Sequence, residues 1–448
     1  MTPHPARKSL KKRAFKGGFV ALSGFGASQG IRLASNLVMT RLLAPDAFGL
    51  MGITLAIQIW LNMMSDLGLD ASIIRSRHGE EPKFLATART LQLARNTLIA
   101  SVLVIAAFAL GPLQNAGVVK EGSVYADPRL PTFIACAALG VFINGFNAMR
   151  IALHNRHLNL VPVIRLELSS QIISIAAMVA GALNGLGVYS LALGAVVSAI
   201  AKCAGSFWLL SGPPARFEFH REYFDEIFHY GKWLLIASTF GYLASRGDQL
   251  IFGWLFPIES FAFYSIATIW IVACRTIIET IQRRVTYPVF SELHRERPHD
   301  LTRIYRQMRL AYEAGCLVLF TGVYLTADFV IQILYTDAYH DVSRYMKLLA
   351  VMLLLMPYRL LSSIVLTSGD SRRFTIVTVV PGFVLFTVTP FVFHAYGETA
   401  AVVFAALTGV LSIPFNWAYA RKFVKIDYLR ESVMAVVALV IAALIVFA

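Results

Sequence analysis

What most constrains this chain is the recurrence, along nearly its whole length, of apolar runs close to the roughly 20 residues that one helix needs to cross a hydrocarbon core. Lipid offers no partner to backbone N–H and C=O groups, so each run must satisfy its own and fold as a helix. Runs at 18–42, 47–71, 85–111, 130–150, 160–183, 187–211, 233–255, 261–282, 310–335, 345–368, 374–395, 398–420 and 431–448 give about thirteen. Charged residues make up 15% of the 448 positions, against about 25% in soluble domains, and no sizeable soluble domain is left over. The expected fold is an all-α polytopic membrane protein of about 12–13 transmembrane helices.

Basic residues orient the spans. With the N-terminal cluster (Arg7, Lys8, Lys11, Lys12, Arg13, Lys16) inside, 28 of the 40 Lys and Arg fall on the cytoplasmic side. Only Arg41, Lys120, Arg129, Arg344 and Lys347 fall opposite, and the C-terminus is expected outside. The net charge of +14 therefore marks topology rather than nucleic-acid binding. No short apolar core with a cleavage site precedes the first span, so that span is read as retained. Cys136, Cys203, Cys274 and Cys316 lie in spans without paired spacing and are expected as small core residues, neither disulfides nor metal ligands.

The chain reads as two related halves. A shift of 213 positions lays the turn Leu42–Met51 over Leu255–Tyr264 and the stripe Gln29, Arg32, Asn36 over Tyr242, Ser245, Gln249. It also lays Asn62 and Asp66 over Arg275 and Glu279. The expected organisation is a basic tail (1–17), a six-helix bundle (18–212), an amphipathic cytoplasmic connector (213–232), a second six-helix bundle (233–424) and an extra terminal span (425–448). In the connector Tyr223, Phe224, Ile227 and Phe228 share one helical side, as in an interfacial helix.

Arg32, Arg95, Lys202, Arg246, Arg275 and Arg359 stand inside spans. One arginine at mid-membrane costs roughly 2.5–3.5 kcal/mol on insertion scales, so several imply a protein-lined or aqueous interior suited to an anion. Arg89, Arg150 and Arg165 lie near cytoplasmic ends, where snorkelling explains them. Among the acids, Asp66, Asp248 and Glu279 are candidates for ion coupling. Intrahelical pairing of Arg246 with Asp248 and of Arg275 with Glu279 is the bland alternative. His154 and His157 flank Arg156 at a basic end and suit headgroup contacts better than a metal. No nucleophile elbow, phosphate loop, zinc motif or dinucleotide fingerprint occurs, so neither an enzyme nor a cofactor is indicated.

The Gly-rich first span with Asn36, followed by Arg41-Leu42-Leu43-Ala44-Pro45-Asp46-Ala47-Phe48-Gly49, resembles the polysaccharide flippase family of the multidrug/oligosaccharidyl-lipid/polysaccharide exporter superfamily. Arg246-Gly247-Asp248-Gln249-Leu250-Ile251-Phe252-Gly253 with Phe261-Ala262-Phe263-Tyr264 resembles the start of that family's second half. The resemblance implies two six-helix bundles around a cationic cavity in the bacterial inner membrane. Through it an undecaprenyl-pyrophosphate-linked oligosaccharide would be turned between leaflets without ATP, with polysaccharide polymerase machinery as a further partner. Arg32, Arg95, Arg246, Arg275, Asn36 and Gln249 are the expected substrate contacts. A peptidoglycan lipid-precursor flippase and a drug or cation antiporter are rivals within the superfamily. A membrane polymerase or ligase is the rival from another class.

Overall fold

The computed structural model describes residues 5–117, 119–157, 159–214, 216–282, 286–367 and 371–447. Among them every regular element is helical, and the chain forms two compact units, 1–121 with 125–239, and 122–124 with 240–448. The first holds α1 (Pro5–Leu42), α2 (Pro45–Met64), α3 (Leu69–Arg75), α4 (Pro82–Asn115), α5 (Leu130–Asn144), α6 (Arg150–Arg156), α7 (Leu160–Leu183) and α8 (Tyr189–Trp208). The second holds α10 (Ile258–Ile281), α11 (Tyr287–Glu296), α12 (Leu301–Leu334), α13 (Val342–Ala350), α14 (Arg359–Thr367), α15 (Ser371–Leu407), α16 (Ser412–Ala420) and α17 (Tyr428–Phe447). Between them in sequence, α9 (Arg221–Leu255) contributes residues to both.

Nine segments among the described residues are long and apolar enough to cross a membrane. They cover ten of the expected runs, one segment spanning two of them, while the runs 18–42, 130–150 and 233–255 begin in or fall within α1, α5 and α9, which are not among the nine. Gly397 has φ +82° inside α15, a conformation that a residue with a Cβ avoids, and it divides one apolar stretch into the two expected runs around 395–398. The apolar α5 has only 15 residues and falls below the usual spanning length.

The expected run 345–368 is not one regular helix. It is α13, a 3₁₀ segment (Val351–Tyr358) and α14 in series. Pro357 lacks the N–H that an α-helix would need there. The segment 337–365 is the core of the second unit, with 83% of its apolar window buried, so protein rather than lipid surrounds its irregular backbone.

Both flanking segments run on into long helices. Residues 1–4 of the basic tail lie outside the described residues, but from Pro5 the segment is already part of α1. The amphipathic stretch of the connector forms the first turns of the continuous α9. Ile227 is 1% exposed in a cluster with Leu69, Ile73, Phe84 and Leu153, with Tyr223 packed against it, whereas Phe228 of the same side is 46% exposed. Tyr223 donates to Glu81 Oε2 at 2.7 Å, a bond that pushes its phenol pKa up to about 12, and Ser76 donates to Glu226 at 2.7 Å. At Gly231 a Cβ would stand 2.4 Å from the Leu67 carbonyl oxygen, so only glycine lets α9 pass there.

Candidate functional site

In the first unit the intramembrane arginine of α4 meets the end of α2. Arg95 Nη2 donates to the Asn62 carbonyl at 2.7 Å and Nε to Ser65 Oγ at 3.1 Å. The last turn of a helix leaves carbonyls without intrahelical partners and carries partial negative charge, so a guanidinium there acts as a C-cap. Asp66 Oδ1 accepts from the Gly68 N–H at 2.9 Å, turning the chain into α3, and Asp66 and Asp70 lie within electrostatic reach of Arg95. Lys202 of α8 is within the same reach of Asp70. Asn62, Asp66 and Arg95 are thus gathered at one helix terminus.

Arg32 and Asn36 sit elsewhere, on α1. Arg32 is exposed and has no hydrogen-bond or ion-pair partner among the described residues. Ser28, one turn earlier, exchanges hydrogen bonds with Gln171 of α7, which holds this part of α1 against that helix.

The second unit arranges its charges differently. Arg275 Nε lies 3.2 Å from Glu279 Oε1 at i,i+4, and Arg359 Nη1 of α14 donates to the same oxygen at 2.6 Å. Gln282 donates to the Arg359 carbonyl and to Ser363. Two guanidinium groups therefore share one carboxylate, leaving a surplus positive charge on a cluster whose Arg275 side chain is only 13% exposed. Arg246 does not pair with Asp248, because residues two apart on a helix project about 200° from one another. Asp248 instead accepts a hydrogen bond from Tyr264, a fully buried phenol. Gln249 is half-buried on the same helix.

Three arginines read as snorkelling or surface residues turn inward. Arg89 is 6% exposed and lies over the rings of Phe217 and Phe207, at 3.9 and 5.3 Å. Arg150 caps α8 through the carbonyls of Phe207 and Leu210, and Arg156 holds those of Ile73, Ile74 and Ser76. Arg165 remains exposed, as snorkelling requires.

One buried network was not legible in the sequence. Arg309 Nε of α12 donates to Glu313 at 2.6 Å, and its Nη2 lies 3.6 Å from Glu431 of α17. Tyr305 donates to the Glu431 carboxylate, Tyr358 donates to its carbonyl, and the Arg309 guanidinium lies over the Tyr358 ring at 4.1 Å. The i,i+4 spacing of Arg309 and Glu313 was a visible signal. Glu431, 122 positions beyond Arg309, offered none.

Outside the spans, Arg129 grips Asp127 with both prongs, at 2.9 and 2.7 Å, and reaches Asp46 Oδ2 at 2.7 Å. Burial opposes ionisation of Asp127, but the Arg129 hydrogen bonds outweigh it and hold the carboxyl below the usual range. Those same bonds push the Arg129 pKa upward.

Among proteins of curated function no sequence match is found. The family model described as "polysaccharide biosynthesis protein" matches residues 38–344. Among solved structures, the chain is similar to a multidrug resistance MATE family transporter of the MOP superfamily in an inward-facing conformation, with 15% identity over 92% of this chain and 96% of that one, and a TM-score of 0.69. It is also similar to the lipid II flippase MurJ (12% identity, 96% and 97% covered, TM-score 0.63). A MOP superfamily transporter from Pyrococcus furiosus matches at 15% identity, with 92% and 95% covered and a TM-score of 0.56. At these identities the likeness shows the fold alone, a polytopic helical transporter fold over nearly the whole chain.

Proposed function

Because this chain belongs to the polysaccharide biosynthesis protein family, we propose that it is a flippase for an undecaprenyl-pyrophosphate-linked oligosaccharide repeat unit, working by alternating access in the bacterial inner membrane. The observation that carries the reading is the Arg275–Glu279–Arg359 cluster, where two guanidinium groups share one carboxylate within a transporter fold. A planar guanidinium stays charged when partly desolvated and presents a fork that matches phosphate oxygens, so surplus positive charge of this kind suits a pyrophosphate. It also argues against export of a cationic drug. Substrate contact is assigned to Arg32 and Asn36 in the first unit and to Arg246 and Gln249 in the second, and Arg95 to the end of α2. Asp66, Asp248 and Glu279 remain the candidate ion-coupling carboxylates.

The proposed topology has the N-terminus inside, following the segregation of basic residues. No synthetic chemistry is assigned to the chain. A sidedness assay tests the function: cells lacking the protein should make the lipid-linked repeat unit and retain it in the cytoplasmic leaflet. Absence of the repeat unit itself would point to an enzyme, and surface display of unpolymerised units would point to a polymerase.

A further inference from the structure

At the N-terminal ends of α12 and α17 in the second unit lies a cavity of about 70 Å³ lined by Tyr305, Arg309, Glu313 and Glu431 on its inner side and by Arg306, Lys425, Asp427 and Arg430 at its mouth. Each of its carboxylates accepts one hydrogen bond, although Glu431 Oε2 accepts none. Glu313 accepts from Arg309, Glu431 accepts from Tyr305, and Asp427 accepts from the Arg430 backbone N–H at the start of α17. Its cations are not so committed. Arg306, Lys425 and Arg430 have no carboxylate within ion-pair distance of their side chains among the described residues. Deeper in, Arg309 is 4% exposed; its Nη2 lies 3.6 Å from Glu431 Oε2, and neither Nη1 nor Nη2 has a hydrogen-bond partner. A buried guanidinium is costly when its donors go unused, and the four cations of the lining, Arg306, Arg309, Lys425 and Arg430, exceed its three carboxylates, so the cavity suits a further anion.

We propose that this cavity binds a phosphate group, with Arg309 at its base and Arg306, Lys425 and Arg430 around its mouth. Guanidinium forks and lysine ammonium groups are the usual protein partners of phosphate oxygens, and basic pockets between helix ends at the positively charged face of a membrane protein suit anionic headgroups. The phosphate is that of an anionic phospholipid headgroup or a free phosphate, and the site stands independently of the transported substrate. It gives the terminal α17 a role, because Glu431, Asp427 and Arg430 all belong to its start.

The test measures the thermal unfolding midpoint of the purified full-length protein in micelles doped with phosphatidylglycerol, with phosphatidylcholine, or with phosphatidylcholine plus inorganic phosphate at matched ionic strength. Phosphatidylglycerol should raise the midpoint by about 3 °C or more over phosphatidylcholine. In the variant Arg306→Gln/Lys425→Gln/Arg430→Gln the rise should vanish and phosphatidylglycerol should bind about 100-fold more weakly, with the midpoint in phosphatidylcholine unchanged. An equal loss of charge outside the cavity, Arg297→Gln/Arg421→Gln/Lys422→Gln, should leave the rise intact. A rise with the lipid alone assigns a headgroup, and a comparable rise with inorganic phosphate assigns a free phosphate. No rise with either, or equal loss of it in both triple variants, overturns the site. Native mass spectrometry of the parent protein, counting bound phosphatidylglycerol against phosphatidylcholine, decides the matter should the first variant fold poorly.

Discussion

Each unit holds an arginine–acid cluster, at the end of α2 beside α4 in the first and on α10 with α14 in the second, yet the two use the guanidinium group in opposite ways. Arg95 is committed to the end of α2: its Nη2 donates to the Asn62 carbonyl and its Nε to the Ser65 hydroxyl. Arg275 and Arg359 are committed to one shared carboxylate, Glu279, and keep charge to spare. A buried cation in a membrane helix therefore has at least two explanations, and the partner decides between them. Where carbonyls at a helix terminus take the donors, the residue holds the fold; where two cations divide one acid, the site retains affinity for an anion.

That contrast can be broken by substitution. Arg275→Ala/Arg359→Ala should lower polysaccharide export by about 100-fold or more, since it removes two phosphate-binding forks, while inserted protein stays at the parent level in membrane fractions. Arg95→Ala should act on stability instead, costing about 2–3 kcal/mol in detergent unfolding by leaving the α2 carbonyls uncapped, with export falling only as far as folded protein falls. A fully folded but transport-dead Arg95→Ala would abolish the distinction.

Gly231→Ala should cost about 1–3 kcal/mol, because a Cβ meets the Leu67 carbonyl and backbone must move. The smallest effect concerns Asp127. Its folded-state pKa lies below the unfolded value of about 3.9, so its contribution is present above that value and lost as pH falls through the folded pKa. Asp127→Asn should cost about 1 kcal/mol at neutral pH, the partial exposure of Arg129 limiting the effect, and the difference from the parent should disappear in acid.

Much of the fold was readable because a spanning helix is specified locally, by an apolar run and its basic flanks. The breaks were harder. Gly397 was visible as a boundary between runs, whereas the 3₁₀ course of 351–358 depends on how the second unit packs around Pro357. Pairing between Arg275 and Glu279 followed from i,i+4 spacing. The second arginine on Glu279, the capping role of Arg95 and the reach of Arg309 to Glu431 all join residues far apart in sequence, for which spacing carries no signal. The inward turn of Arg89 was missed for a related reason: an arginine near a span end reads as snorkelling until the rings of Phe207 and Phe217 are seen beside it.

Transbilayer movement in liposomes reconstituted with the purified protein tests the flippase reading most directly. A polyprenyl-pyrophosphate-linked oligosaccharide is placed in one leaflet, and its arrival in the other is followed with a membrane-impermeant glycan-modifying enzyme. The parent protein and a folded Arg95→Lys variant should move the lipid, while Arg275→Ala/Arg359→Ala, equally well inserted, should not. Movement by the double variant at the parent rate, or no movement by the parent in the presence of proton and sodium gradients and a membrane potential, would contradict it.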